Sequence, residues 1–87
     1  MVNWELVAFV KRGEQRIRLL PLLKQPLTAS ELAQKSSLRL THAARALREF
    51  KNKGLIECLN PKDKVGKMYR ITKLGRNVLT QLEKMKE

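Results

Sequence analysis

Apolar and polar positions along this chain repeat with two different periods, and the changes of period mark the predicted elements. In five stretches, apolar residues recur every three or four positions, as in helices with one buried face. Two short stretches before the last of these have the apolar character of strands. The predicted helices cover residues 2–12, 14–23, 29–35, 39–53 and 73–86, and the predicted strands cover residues 55–59 and 67–71.

The fourth predicted helix has the clearest division into two faces. Four apolar residues share one stripe, namely Leu40, Ala43, Leu47 and Phe50. Gly54 follows, where a residue that readily adopts positive φ can end the helix. A helix with one buried face and one polar, basic face can lie in the major groove of DNA and contact base edges. The alternative is an ordinary surface helix whose polar face is only solvated.

The third predicted helix begins at a capping box and ends just before the fourth. Thr28 can accept a hydrogen bond from the first turn, and Glu31 can accept one from the Thr28 amide. Ser36 and Ser37 end this helix, and Leu38 anchors the turn in the core. Two helices joined by so short a turn form a helix-turn-helix unit, whose second helix enters the groove. Many short helix pairs bind nothing, so the pairing alone leaves both interpretations open.

The second predicted helix contains Pro21, which cannot continue the helical hydrogen bonds. We therefore expect a kink near Arg18 or an early end. Residues 24–27 are predicted to be an irregular connector. Arg12 and Arg16, like Arg18, are predicted to be exposed and solvated.

The segment after the fourth helix predicts a hairpin that leans on the last helix. Residues 60–66 are turn-forming and basic, and Tyr69 and Ile71 alternate inward. Thr72 can cap the final helix, against which the hairpin packs, because a lone hairpin is marginal in water. Three lysines here suit contact with a phosphate backbone, namely Lys62, Lys64 and Lys67. A lysine-rich turn taken alone is better explained by simple solvation.

The net charge of the chain is the strongest indication of a binding partner. The 87 residues indicate one domain, and 19 Lys and Arg against eight Asp and Glu give a net charge of +11. So large a charge on so small a body favours a polyanionic partner over mere solubility. The single cysteine, Cys58, excludes an internal disulfide and is predicted to be a small buried hydrophobe. No apolar run approaches about 18 residues and no secretion signal is present, which predicts a cytoplasmic protein.

The order helix, helix, turn, helix, two-stranded wing and helix resembles the winged helix-turn-helix transcription regulators. The small archaeal and bacterial regulators related to the arsenic-responsive and multiple-antibiotic-resistance repressors are the most similar. The resemblance covers roughly residues 14–82 of the chain. It is carried by Leu27-Thr28, Glu31-Leu32-Ala33, Leu38, Leu47-Arg48-Glu49-Phe50, Lys53-Gly54-Leu55-Ile56, Tyr69-Arg70-Ile71-Thr72 and Gly75.

This resemblance implies a mainly α fold with a small β-hairpin, in which residues 39–53 form the recognition helix and residues 60–67 the basic wing. It also implies two groups of DNA contacts. The base-contact candidates are Leu40, Thr41, His42 and Arg45. The backbone candidates from the resemblance are Lys62, Lys64 and Lys67 of the wing, and the side chains of Thr28, Arg39, Arg48 and Lys51 are further backbone candidates. The chain departs from the family pattern at Arg39, where a capping Ser or Thr is usual, at Ala44, where a serine is common, and at Ser37, where the turn often carries Gly.

Arg45 is the strongest candidate for reading a base, because a guanidinium can pair bidentately with guanine. Its alternative role is a phosphate contact. His42 can read a base or act as a pH-dependent phosphate contact. No second His and no Cys stands near His42, so neither a metal site nor a cofactor is predicted. Catalytic residues are not predicted either, because the acidic residues are scattered and no phosphate-binding loop is present.

The sequence therefore predicts a duplex DNA-binding transcription regulator that is not an enzyme and acts as a homodimer. Residues 1–87 form a single DNA-binding domain in this interpretation, with residues 1–12 and 73–87 as dimerisation helices. The predicted dimer interface consists of Trp4, Val7, Phe9, Val78, Leu82 and Met85. Two alternatives stay open: a chromatin-type or RNA-binding protein that does not read sequence, and a winged-helix module that docks on an acidic protein. No membrane contact and no small-molecule ligand are predicted.

Overall fold

The computed structural model describes residues 3–85 and contains the five predicted helices in the predicted order. The helices are α1 (Trp4–Arg12), α2 (Glu14–Leu19), α3 (Ala29–Ser36), α4 (Leu40–Asn52) and α5 (Lys73–Met85). The strands are β1 (Leu27–Thr28), β2 (Ile56–Cys58) and β3 (Met68–Ile71). Val2, predicted to belong to the first helix, and Lys86, predicted to end the last, lie outside the described residues.

All of these elements pack around one apolar core. Its largest fully buried side chains come from the helices and from the start of the hairpin, namely Val10, Leu19, Leu20, Leu23, Leu32, Phe50, Leu55 and Val78. Helices α3 and α4 pack against each other, and α1 packs against α5 at the far side. The predicted winged-helix architecture is confirmed.

Pro21 ends the second helix early, which confirms one of the two expectations for this residue. Helix α2 stops at Leu19, and residues Leu20–Lys24 continue as a 3-10 helix with the proline in its first turn. Proline is tolerated there because its missing N–H is not needed in a first turn. The tighter winding still buries Leu23 in the core.

The prediction of a connector over residues 24–27 is wrong at both ends, because Lys24 ends the 3-10 helix and Leu27 begins a strand. Leu27 and Thr28 form β1, which pairs with β3 so that Leu27 lies opposite Tyr69 and Thr28 opposite Met68. The sheet therefore has three antiparallel strands in the order β1-β3-β2. A two-residue strand has too few positions to show alternation, and its partner lies some forty residues away.

The two predicted helix caps, Thr28 for α3 and Thr72 for α5, are confirmed. The Thr28 hydroxyl accepts from the Glu31 amide at 3.1 Å, and Glu31 Oε1 accepts from the Thr28 amide at 2.9 Å. Thr72 caps α5 by accepting from the Gly75 amide at 3.1 Å. No side chain caps α4 at Arg39, in agreement with the absence of the usual Ser or Thr at this position.

The end of α4 is confirmed at Gly54, which has a φ of 76°. The Gly54 amide donates to the Lys51 carbonyl at 3.0 Å, and the Leu55 amide donates to the Phe50 carbonyl at 2.9 Å. This pair of bonds satisfies the last carbonyls of the helix. It also turns the chain directly into the buried start of the hairpin.

The predicted apolar stripe of α4 is wrong at Leu40. Ala43, Leu47 and Phe50 are buried, but the Leu40 side chain is 53% exposed. Leu40 is the first residue of the helix, and the first buried residue of α4, Ala43, follows three residues later. Its apolar surface is therefore available at the same end of α4 as the predicted base contacts.

Ser37 is the non-glycine residue with a positive φ, 58°, within the described part of the chain. A side chain is strained in this left-handed region, whereas glycine is not. We expect Ser37→Gly to raise the free energy of unfolding by up to about 1 kcal/mol, measured by urea denaturation. Ser30→Gly, at the exposed second position of α3, is the matched control and should lower stability by about 0.5 kcal/mol. Equal effects of the two substitutions would contradict this account.

Candidate nucleic-acid interface

Helix α4 presents a polar row directly opposite its buried face. Ala43, Ala46, Leu47 and Phe50 are buried against the core. On the opposite side, at spacings of four, three and four residues, lie four exposed polar side chains: Thr41, Arg45, Arg48 and Asn52. We call these four residues the α4 outer row. The 13-residue helix is about 20 Å long and, with its side chains, about 10–12 Å across. Those dimensions fit a major groove about 12 Å wide.

A cleft lies on each side of the α4 outer row. The first cleft, between α4 and the junction of α1 with α2, has a volume of about 420 Å³. Its lining includes Arg12, Glu14, His42 and Arg45. The second cleft, between α4 and the starts of α3 and β3, has a volume of about 250 Å³ and is lined by Ala29, Ala44, Leu47, Arg48, Lys51 and Tyr69. The outer row therefore stands forward as a ridge.

The base-contact candidates from the sequence all lie at the start of α4. Leu40, Thr41, His42 and Arg45 are exposed there. The structure brings them onto one accessible end of the helix, with His42 and Arg45 facing the first cleft. Their contacts with bases remain a prediction. Asn52, which is not among the predicted contacts, completes the α4 outer row at its other end.

The backbone candidates fall into three places. Arg39, Arg48 and Lys51 are exposed on or just before α4, and Lys62 and Lys64 are exposed in the wing. Lys67 is half-buried immediately before β3. Thr28 is different, because its hydroxyl already accepts the Glu31 amide at the start of α3. The hydroxyl proton of Thr28 remains available to donate.

The wing is built around Asn60, which sequence patterns mark only as a turn residue. The Asn60 side-chain amide donates to Asp63 Oδ2 at 2.9 Å and to the Gly66 carbonyl at 3.1 Å. Its Oδ1 accepts from the Met68 amide at 2.7 Å. One side chain thus ties both strands to the turn and fixes the loop that carries Lys62 and Lys64. No local spacing identifies such a role, because its partners lie up to eight residues away.

Arg16 joins the first two helices to α4, which corrects the prediction that it is exposed and solvated. Its Nη1 donates to the Phe9 carbonyl at 2.8 Å, and its Nη2 lies 3.2 Å from Glu49 Oε2. The guanidinium carbon lies 3.9 Å from the centre of the Phe9 ring, and Lys53 Nζ lies 5.3 Å from the same centre. Gly13 leaves room for this side chain, since a Cβ there would lie 2.6 Å from Arg16 Cδ. These contacts fix α4 relative to the α1–α2 junction.

The predicted dimer residues divide into three groups by their burial. Val7, Val78 and Leu82 are buried in the chain's own core, where α1 packs against α5. Phe9 is half-buried beneath the cationic groups of Arg16 and Lys53. The remaining two predicted interface residues, Trp4 and Met85, are 59% and 42% exposed. Leu74 at the start of α5 is also exposed, so the accessible large apolar side chains of these two helices are Trp4, Leu74 and Met85.

The basic groups of the candidate interface are not neutralised by salt bridges within residues 3–85. The two ion pairs in that range join Arg16 to Glu49 and Lys24 to Glu83. Neither pair uses a predicted DNA contact. In the same range, no three His, Cys, Asp or Glu side chains come together as metal ligands, and no helix has the length and apolar character to cross a membrane.

Solved structures with this architecture define the class of protein. A MarR mutant from E. coli complexed with operator DNA superposes with a TM-score of 0.76 and 25% identity, covering 92% of this chain and 59% of that one. Reduced MarR from E. coli gives 0.75 and 25%, covering 93% and 62%. RV1404 from Mycobacterium tuberculosis gives 0.75 and 23%, covering 90% and 57%. The fold is that of the MarR-type winged-helix transcription regulators, which confirms the resemblance noted from the sequence.

The family follows from the sequence comparison. Residues 4–87 match the family described as the HVO_A0261 N-terminal domain, and the chain belongs to that family. No curated protein sequence matches the chain. The chain spans about three fifths of the length of the solved MarR-type structures that it resembles.

Proposed function

We propose that this protein is a transcription regulator that binds duplex DNA with α4 in the major groove. The observation that carries the proposal is the α4 outer row, a polar ridge with two arginines opposite a fully apolar face. The ridge has a cleft on either side, between α4 and the neighbouring elements. One of the MarR structures with the same fold is complexed with operator DNA.

Within this proposal the first turns of α4 read bases and the flanking lysines and arginines hold phosphates. Arg45 pairs with a guanine, His42 and Thr41 contact neighbouring bases, and the exposed Leu40 supplies an apolar surface to a thymine methyl group. The backbone contacts come from Thr28, Arg39, Arg48, Lys51, Lys62, Lys64 and Lys67. The turn organised by Asn60 presents the wing residues 60–67 to the backbone or minor groove.

We further propose that residues 1–87 act as one DNA-binding domain and that two copies bind one site. A dimer places two recognition helices about 34 Å apart, which matches a two-fold symmetric DNA site. The exposed large apolar side chains available to such a dimer are Trp4 on α1 and Leu74 and Met85 on α5. The chain's high positive charge opposes self-association, so DNA that binds both copies favours the dimer.

The direct test is a titration of the purified protein against random-sequence duplex DNA at several salt concentrations, with selection from a random pool alongside. Strong salt dependence together with an enriched two-fold symmetric sequence supports a dimeric sequence reader. Strong salt dependence without enrichment favours a chromatin-type or RNA-binding protein. A failure to bind any duplex at low salt contradicts the proposal and favours docking on an acidic protein.

Two point variants separate base reading from backbone contact. Arg45→Ala should relax the sequence preference at one or two positions, with a loss of discrimination of about 1–3 kcal/mol. Lys64→Ala should weaken all duplexes alike and reduce the salt slope by about one unit. Both side chains are exposed, so the fold should be unchanged in both variants. If the two variants lower affinity for every sequence equally, α4 does not read bases.

A further inference from the structure

The proposed phosphate contacts are distributed unevenly between the two sides of α4. Arg48 and Lys51 line the second cleft, and Thr28 lies beside it at the start of α3. The first cleft, on the opposite side of the helix, contains His42 and Arg45 from α4 but no proposed contact from another element. Phosphate contacts from the surrounding fold are therefore assigned to one side only.

A helix that lies in the major groove has a phosphate strand on each side. The groove is about 12 Å wide, which is close to the width of the helix with its side chains. Both phosphate strands therefore lie against whatever flanks the helix. On the side of the first cleft, the flanking element is the junction of α1 with α2.

Arg12 is the cation that this junction offers. It is the last residue of α1, it is exposed, and it lines the first cleft together with Arg45. The other arginine of the junction, Arg16, already pairs with Glu49 across the same cleft at 3.2 Å. Glu14 is the remaining carboxylate in the lining, and it is also exposed.

We propose that Arg12 binds a backbone phosphate of the duplex on the side of α4 that faces the α1–α2 junction. This inference rests on the proposed function and extends its interface beyond the helix-turn-helix and the wing. The phosphate lies next to the base read by Arg45, since both side chains line one cleft of about 420 Å³. Glu14 weakens the attraction by its negative charge, so its removal strengthens binding.

The first experiment compares Arg12→Ala with Lys11→Ala on one fixed duplex over a range of salt concentrations. Lys11 is the exposed neighbour on α1 and is not among the residues that line the cleft. Arg12→Ala should weaken binding about three- to tenfold and reduce the salt slope by about 0.9, as expected for one lost phosphate contact. Lys11→Ala, with the same change in net charge, should leave the slope unchanged.

A second pair of variants tests the sign of the effect. Glu14→Gln should tighten binding about two- to fivefold, because it removes the carboxylate that faces the same phosphate. Glu83→Gln, which changes the net charge equally at an exposed position of α5, should leave affinity unchanged. Equal tightening by the two variants would indicate a general field effect and would overturn the local contact.

Neutral methylphosphonates placed singly along the duplex then locate the phosphate. One position should weaken binding of the unmodified protein but have no effect on Arg12→Ala, and it should flank the base affected by Arg45→Ala. If Arg12→Ala behaves like Lys11→Ala while the unmodified protein binds duplex strongly, this inference is wrong and the proposed function stands. If the unmodified protein binds no duplex at low salt, the proposed function fails first.

Discussion

Gly75→Ala is expected to lower the free energy of unfolding by about 2–4 kcal/mol, the largest loss expected from an alanine at any of the four glycines. A Cβ at this position would lie 2.2 Å from the Leu55 carbonyl oxygen and 2.5 Å from Ile71 Cγ1. The carbonyl is backbone and already accepts the Thr72 amide at 2.9 Å, so it cannot move without loss of that bond. Overpacking of about 1–3 kcal/mol and one weakened hydrogen bond of about 1 kcal/mol together give the estimate.

Urea denaturation and thermal melting followed by circular dichroism would measure this loss. For a domain of this size, each kcal/mol lowers Tm by roughly 4–8 °C. Gly66→Ala is the matched control, because that glycine has a φ of 71° and open space where a Cβ would be added. The Gly66→Ala variant should lose about 1 kcal/mol of stability, because alanine is strained at this positive φ. A Gly75→Ala variant as stable as the Gly66→Ala variant would contradict the close approach of α5 to the hairpin.

The double variant Arg45→Glu with Arg48→Glu is expected to lose at least about 100-fold in affinity for duplex DNA near 0.1 M salt. Each substitution replaces a cation of the α4 outer row with an anion, and the net charge falls from +11 to +7. Lost phosphate neutralisation and a lost bidentate base contact act together with repulsion from the backbone. Both side chains are exposed, so the melting temperature should change little.

Fluorescence anisotropy with one labelled duplex measures the effect. Lys11→Glu with Arg18→Glu is the matched control, because it lowers the net charge equally on exposed positions of α1 and α2. That control should lose affinity only through the weaker overall field, by less than tenfold. Equal losses in the two double variants would mean that DNA attraction is spread over the whole surface and that α4 has no special part in it.

Most of the fold was predictable because its signals are local. Periodic apolar residues gave the five helices, and the pair Thr28 and Glu31 gave the start of α3 through bonds that span three residues. Gly54 gave the end of α4 in the same way. Such interactions depend on neighbours along the chain, so the pattern of residue types contains them.

The rest depends on contacts between distant segments. Arg16 meets Glu49 across 33 residues, and β1 is a strand only because β3 lies beside it. The sequence placed Val7 in the predicted dimer interface and could not show that α1 packs against α5 within the same chain. For the candidate site, the pattern selected the polar side of α4, but the clefts on either side and Arg12 within one of them are products of tertiary packing.

The strand order also bears on how the protein avoids unwanted association. The four-residue β3 lies in the centre of the sheet, and the two edges are β1 with two residues and β2 with three. An extended segment of another molecule that adds to either edge therefore finds only two or three residues of backbone to pair with. So short an edge gives a growing aggregate almost no template. The longest strand, which would be the best template, has both of its sides occupied within its own chain.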